Sequence, residues 1–212
     1  MDDTLRRARR ILRAEADAIR NVPLDSQFRT AVREIVRCKG KVITTGIGKA
    51  GAVARKIAGT FCSNGVPAAF LHPGEAGHGD LGLLAPGDIV LAFSTSGKTR
   101  EVLEMLELAR HLGVRCMIGV TSHPDSEIRR LCPIVINMGT IREPCPLGLT
   151  PSASSAVMMA IGDALSLVSM QARGFTRHDY GLRHHAGYLG QMARAGGSPP
   201  PPARRRRVRS RP

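Results

Sequence analysis

Ser94-Thr95-Ser96-Gly97-Lys98-Thr99 gathers four hydroxyls, a cation and a flexible glycine into six residues. Such a set can hold an anion. The apolar run Ile89 to Phe93 before it suits a buried parallel strand. After it the apolar period turns helical, with Val102, Leu103, Leu106, Leu108 and Ala109 on one broad face. In a strand–turn–helix arrangement, free backbone N–H groups and the positive end of the helix dipole point into the turn. Ser94, Ser96 and Thr99 add donors and Lys98 adds charge. The plainer alternative is an ordinary turn whose helix Thr99 caps.

The elements that must position this turn alternate. A helix spans residues 2–20, with Leu5, Ala8, Leu12, Ala16 and Ile19 in line, and a second runs from Ser26 to Cys38, ended by Gly40. Lys41 to Thr45 reads as a strand entering Gly46-Ile47-Gly48-Lys49, and a helix continues to Asn64. Strands follow at 67–71, 89–93, 114–120 and 134–136, with a loop over 72–82 and a short helix over 125–131. Pro151, capped by Thr150, opens a helix through Gln171 that is apolar on nearly all sides, as expected in a core or a subunit interface. Alternating strands and helices predict an α/β fold with a parallel sheet covered on both faces. Its ligands belong outside the carboxyl ends of the strands, where the Gly-, Ser-, His- and Lys-rich loops converge.

With 212 residues and 42% apolar content the chain suits one globular domain, residues 1–194, with a helical segment over 1–40. Residues 195–212 read as a disordered Pro/Arg-rich tail. The net charge of +14 invites a nucleic-acid reading, but six of those positives lie at Arg204–Arg207, Arg209 and Arg211. With 3% aromatic residues and no Trp, base-stacking platforms are scarce, so a nucleic-acid partner is not expected. The remaining basicity fits a small phosphorylated ligand. No apolar run reaches the eighteen or so residues of a membrane span, and the charged N-terminus is unlike a signal peptide. Five scattered cysteines read as reduced thiols in a cytoplasmic protein.

Four segments together resemble the sugar isomerase (SIS) domain, and specifically the arabinose-5-phosphate isomerases of Kdo biosynthesis. They are TGIGKAG (45–51), HPGEAGHGDLG (72–82), STSGKTREV (94–102) and EPCPLGLTPS (143–152), joined by ARGFTRHDYGLRHHAGYLG (172–190). Thr95 and Lys98 stand where that family commonly has an amide and an acid, and His185 where it has proline. The resemblance implies a flavodoxin-like αβα sandwich with a five-stranded parallel sheet. It also implies interconversion of D-ribulose 5-phosphate and D-arabinose 5-phosphate through an enediol, with no cofactor and no metal. Members usually carry two C-terminal CBS modules, so this chain resembles the shorter form.

Aldose–ketose isomerisation needs an acid/base for ring opening, a base to move a proton between C1 and C2, and a group to hold the enediolate oxygen. By resemblance the catalytic set is Lys49, Glu101, Glu143, His184 and His78. Glu101 would also favour the helix dipole from its first turn. Glu143, on a loop stiffened by Pro144 and Pro146, is a candidate enediol base, and the histidines could shuttle a proton. The ligand-binding set is Gly48, Ser63, Ser94, Thr95, Ser96, Gly97 and Thr99, with His72 also shaping its loop. The expected partners are a phosphorylated sugar and copies of the chain in a dimer or tetramer, with His184 entering a neighbour's site. Isomerisation of another sugar phosphate, or phosphosugar binding without chemistry, are the alternative readings.

Overall fold

The computed structural model describes residues 2–185 and 187–195, so the tail expected from residue 196 onward lies outside the described residues. The chain falls into two units, one ending at Gly174 and one beginning at Phe175. The first runs α1 (Asp3–Arg20), α2 (Ser26–Arg37), β1 (Val42–Thr45), α3 (Gly48–Ser63), β2 (Ala68–Phe70), α4 (Pro73–Ala76), β3 (Ile89–Phe93), α5 (Arg100–His111), β4 (Cys116–Thr121), β5 (Ile134–Asn137) and α6 (Ala153–Ala172). The second holds α7 (Arg177–Arg183) and α8 (Gly187–Ala195).

The five strands form one parallel sheet in the order β2-β1-β3-β4-β5. Apolar residues on both strand faces supply two cores. Val42, Ile89, Leu91, Phe93, Ile118 and Val120 join α2, α3 and α6 on one side. Ile43, Val90, Ala92, Met117 and Val135 join α5 on the other. The period-two alternation of a strand sends neighbouring residues to opposite faces, so both faces must be covered.

Several sequence expectations shift. The stretch 72–82, read as a loop, contains α4 and a 3-10 turn at Asp80–Leu83, and the helix expected over 125–131 is one 3-10 turn at Glu127–Arg130. α6 starts at Ala153 rather than Pro151. α1 carries two apolar stripes. Leu5, Leu12 and Ile19 of the predicted stripe are exposed, while Ile11, Ala14 and Ala18 are half-buried and α1 packs against α6. α6 is long and apolar enough by length and composition to cross a membrane, contrary to the expectation that no segment would be. Here it packs against α1, α2 and α3, because one face carries the small and branched residues that fit between them.

Gly40 does not end α2 through a left-handed backbone; Cys38 is the C-cap. It is glycine because a Cβ there would lie 2.2 Å from Asp88 Oδ1. Asp88 is 1% exposed and sits where β3 begins. Its Oδ1 accepts from Lys41 N–H at 2.7 Å and its Oδ2 from Ala85 N–H at 2.9 Å, with Lys41 Nζ 2.8 Å from Oδ2. Its backbone carbonyl accepts from Arg115 N–H at 2.8 Å. One residue therefore ties the starts of β1, β3 and β4 together.

Burial pushes the Asp88 carboxyl up, but the Lys41 side-chain and backbone hydrogen bonds and the Ala85 N–H outweigh it and leave it below its usual value. Its folded value being depressed, the stabilisation is complete above the unfolded value near 3.9 and fades as pH falls through the folded one. Asp88→Ala, which leaves those donors without their acceptor, is expected to lower unfolding free energy by about 2–3 kcal/mol in urea titrations near neutral pH. The difference from wild type should shrink in acid, and a constant difference down to the lowest pH would refute this account.

Candidate active site

In this strand order β1 lies between β2 and β3, and the connections from β1 and β3 leave in opposite directions. Right-handed crossovers then put α3 and α5 on opposite faces of the sheet, leaving a crevice at the strands' carboxyl ends. A cavity of about 350 Å³ occupies it. Lys49 and Ala50 from the start of α3, Ser94, Thr95, Ser96 and Thr99 from the β3–α5 turn, and Ser154 and Ser155 from the start of α6 line its walls. Three helix N-termini thus meet at one cavity.

The β3–α5 turn is held by its own hydroxyls. Ser94, 3% exposed, accepts from Gly97 N–H at 3.1 Å and shares a hydrogen bond with Thr99 Oγ1 at 2.8 Å. Thr99 occupies the N-cap position of α5, but its side chain makes no cap bond there. Gly97 has φ of 64° and its Cβ would lie 1.9 Å from Ser126 Oγ, so both backbone and space require glycine. Ser96 is exposed; its Oγ accepts from Lys98 N–H at 3.2 Å, which leaves its hydroxyl hydrogen for a ligand. At α3, Gly48 has φ of 60° and the N-cap Ile47 offers no side-chain acceptor. The N–H groups opening α3 and α5 have no side-chain cap, and Lys49 stands beside them. That is an electrostatic setting for a dianion.

α6 differs. Its N-cap residue Ser152 makes no side-chain cap, and Thr150 does not supply one; the acceptor comes from Glu143. Glu143 Oε2 accepts from Ser152 and Ala153 N–H, both at 2.8 Å, and Oε1 from Ser154 N–H at 3.1 Å. Partial burial pushes this carboxyl up, but the Ser154 side chain and the three N–H groups hold it below its ordinary range. Glu143 is therefore ionised at neutral pH and neutralises the third N-terminus.

The remaining sequence candidates are spread out. Glu101 is exposed in the first turn of α5, and His72 and His78 are exposed on the α4 stretch; among the described residues none of the three lines the cavity. Ser63 ends α3, fifteen residues from Gly48. At 1.5 Å per residue it lies roughly 22 Å from the crevice end of that helix. His184 belongs to the second unit, stacked on Tyr180 with ring centroids 3.9 Å apart and its Nδ1 donating to the Tyr180 carbonyl at 3.0 Å. A capping box between Thr176 and Asp179 sets the start of that helix.

Two residues outside the predicted set stand out. His123, just past β4, lines the cavity. The rule that ligands sit beyond the carboxyl ends of strands would have found it. Cys145 borders a second cavity of about 540 Å³ with Arg10, Arg142 and Glu143. The Thr150 side chain and the N–H groups of Thr150, Leu149 and Leu147 pull its thiol down to about 6. No residue spacing announces that, because the donors lie within a turn that only folding forms.

Residues 35–168 match the model of the SIS domain family. The chain is 40% identical over 168 residues to arabinose 5-phosphate isomerase KdsD of Escherichia coli K12, covering 79% of this chain and 51% of that protein. The enzyme of the same name from Pseudomonas aeruginosa is 37% identical over 191 residues, 89% of this chain and 58% of the relative. The chain thus spans about half the length of the curated relatives it matches. Among solved structures, a candidate phosphosugar isomerase involved in capsule formation from Bacteroides fragilis superposes with a TM-score of 0.84 at 43% identity. The match covers 87% of this chain and 99% of that one. A protein of E. coli CFT073 solved in complex with arabinose 5-phosphate gives a TM-score of 0.81 at 36% identity, covering 87% and 100% of the two chains.

Removing the α6 cap should be visible in stability. Glu143→Ala is expected to cost about 1–2 kcal/mol near neutral pH, in the range of other lost helix caps. Because the folded carboxyl is depressed, that difference should be complete above about 4.3 and vanish as pH falls through the folded value. Denaturant titrations at several pH values measure it; a variant as stable as wild type at neutral pH would show that the cap contributes nothing.

Proposed function

The chain belongs to the SIS domain family, and on that premise we propose that it is an aldose–ketose isomerase of a phosphorylated sugar. The substrate pair proposed is D-ribulose 5-phosphate and D-arabinose 5-phosphate. The observation that carries the reading is the crevice between β1 and β3. There two helix N-termini without side-chain caps, Lys49 and the Ser96 hydroxyl line one cavity sized for a small ligand. The similarity to arabinose 5-phosphate isomerases and to a structure holding that sugar phosphate supports the choice of sugar.

In this reading the phosphate sits on the 94–99 turn, receiving the Ser96 hydroxyl hydrogen and the N–H groups that open α5. That anchor directs the carbon end of the open-chain sugar across the cavity towards Lys49. A base removes a proton from C1 of the ketose, the 1,2-enediolate forms, and a proton returned to C2 gives the aldose. Lys49 stabilises the enediolate oxygen. Glu101 and Glu143 are the two carboxylates proposed for the C1–C2 transfer, and His78, with His184 supplied by a neighbouring copy of the chain, for ring opening. Glu143→Gln and Glu101→Gln assign the base: the variant of the true base loses turnover while keeping substrate affinity.

The protein is further proposed to act in the cytoplasm, in the supply of arabinose 5-phosphate for Kdo, and as a homo-oligomer. Leu167 and Val168 of α6 are 49% and 42% exposed, and Leu5 and Leu12 of α1 are also exposed, so apolar surface remains for a second copy. Leu167→Arg with Val168→Arg is expected to shift the mass measured by light scattering towards the monomer. An unchanged mass would move the interface elsewhere.

Incubation with ribulose 5-phosphate, followed by NMR, should show the signals of arabinose 5-phosphate appearing. Ligand binding without any new sugar would instead identify a phosphosugar-binding protein. Ser96→Ala should raise KM about tenfold with little change in kcat, the effect of one charge-assisted hydrogen bond to phosphate. An unchanged KM would place the phosphate away from this turn.

A further inference from the structure

His123 is exposed to solvent, lines the crevice cavity and is tied to the middle of the phosphate turn. The Thr95 carbonyl accepts from Ser122 N–H at 3.0 Å and Thr121 Oγ1 at 3.0 Å, and lies 3.1 Å from His123 Nδ1. A carbonyl only accepts, so Nδ1 carries the hydrogen in that contact and the tautomer is set. Nε2 is then the ring's working nitrogen, and among the described residues it has no protein partner. It is an acceptor when the ring is neutral and a donor when the ring is protonated. The main chain of His123 is also held: its N–H donates to Thr121 Oγ1 at 3.1 Å, and its carbonyl accepts from Ser126 Oγ at 2.6 Å. The imidazole is thus a positioned group lining the cavity that Lys49 reaches from α3.

We propose that His123 is a ligand-contacting residue that reads the substrate's phosphate through Nε2, while Nδ1 braces the turn that cradles it. The inference rests on the phosphosugar reading of this cavity. The ring is bonded to the residue between Ser94 and Ser96, so the part of the ligand beside it is the part held by that turn. With Nδ1 committed to the Thr95 carbonyl, the contact to a phosphate oxygen is made by the Nε2–H of the doubly protonated ring. His123 thus supplies a second side-chain contact, contributed by the β4 loop, to a phosphate otherwise held by Ser96 and the N–H groups that open α5. A sugar ligand lacking phosphate gains nothing from it, which makes His123 a residue of specificity for phosphorylated over free sugars.

The two ring nitrogens can be tested separately. His123→Asn keeps a donor at the Nδ1 position for the Thr95 carbonyl and removes the Nε2 group. His123→Gln keeps a donor near the Nε2 position and gives up the brace. Calorimetric titration with inorganic phosphate is expected to show about tenfold weaker binding for His123→Asn, and affinity closer to wild type for His123→Gln. With ribulose 5-phosphate, His123→Asn should raise KM by the same factor and leave kcat unchanged. Thermal melts matching wild type exclude a folding defect, as expected at an exposed position. Wild-type phosphate affinity in His123→Asn, or a fall in kcat at constant KM, overturns the proposal. If wild type binds phosphate and His123→Asn weakens it, yet no sugar phosphate is isomerised, the catalytic reading fails while this assignment stands.

Discussion

The upper edge of this molecule is governed by the reversal of strand order at β1 and β3. A right-twisted parallel sheet accepts only right-handed crossovers, so the connections from these two strands must rise on opposite faces. The space between them is left open at the carboxyl ends of the strands. α3 and α5 begin there, with their N–H groups facing the crevice and their apolar flanks committed to different cores. The site is thus a by-product of how the sheet is wound, and the side chains refine it.

Those side chains distribute capping unevenly. α1, α2 and α7 have ordinary Asp or Thr caps. α6 borrows a carboxylate from Glu143, ten residues before its first helical residue. α3 and α5 have no side-chain cap, and the Thr99 hydroxyl that could cap α5 is bonded to Ser94 instead. Helix ends without caps lose stability. Here the cost falls on the two ends that face a cavity beside Lys49, where an anionic ligand would supply the missing acceptor. Stability is secured at the opposite edge, where Asp88 gathers donors from Lys41 and Ala85 and fixes how the starts of β1, β3 and β4 align.

The loop from Thr140 to Thr150 links several of these features. It presents Glu143 to α6, holds Cys145 among N–H donors, and borders a second cavity against Arg10 and Ala14 of α1. Movement of this loop would uncap α6 at the cavity wall formed by Ser154 and Ser155. In the second unit, His184 has a set orientation, pinned by ring stacking and by the Tyr180 carbonyl. An imidazole held in this way has its ring plane fixed and its Nδ1 hydrogen committed to a carbonyl.

Much of this was legible in the linear chain because it depends on local pattern. The apolar run Ile89–Phe93 reads as a buried parallel strand, and Ser94 to Thr99 as a hydroxyl-rich turn before a helix. Parallel order and a site at the strands' carboxyl ends follow from such alternation, and motif resemblance supplied the family. Tertiary structure alone decided what depends on contacts between distant residues. It chose which stripe of α1 faces α6, since two apolar stripes compete and only packing selects one. It spent the hydroxyls of Ser94 and Thr99 on each other, turned Glu143 into a cap, and explained Gly40 by the carboxylate of Asp88. It left Ser63 at the far end of α3 and brought His123 to the cavity wall. Neighbours in space are set by the winding of the sheet, and no periodicity in the sequence encodes them.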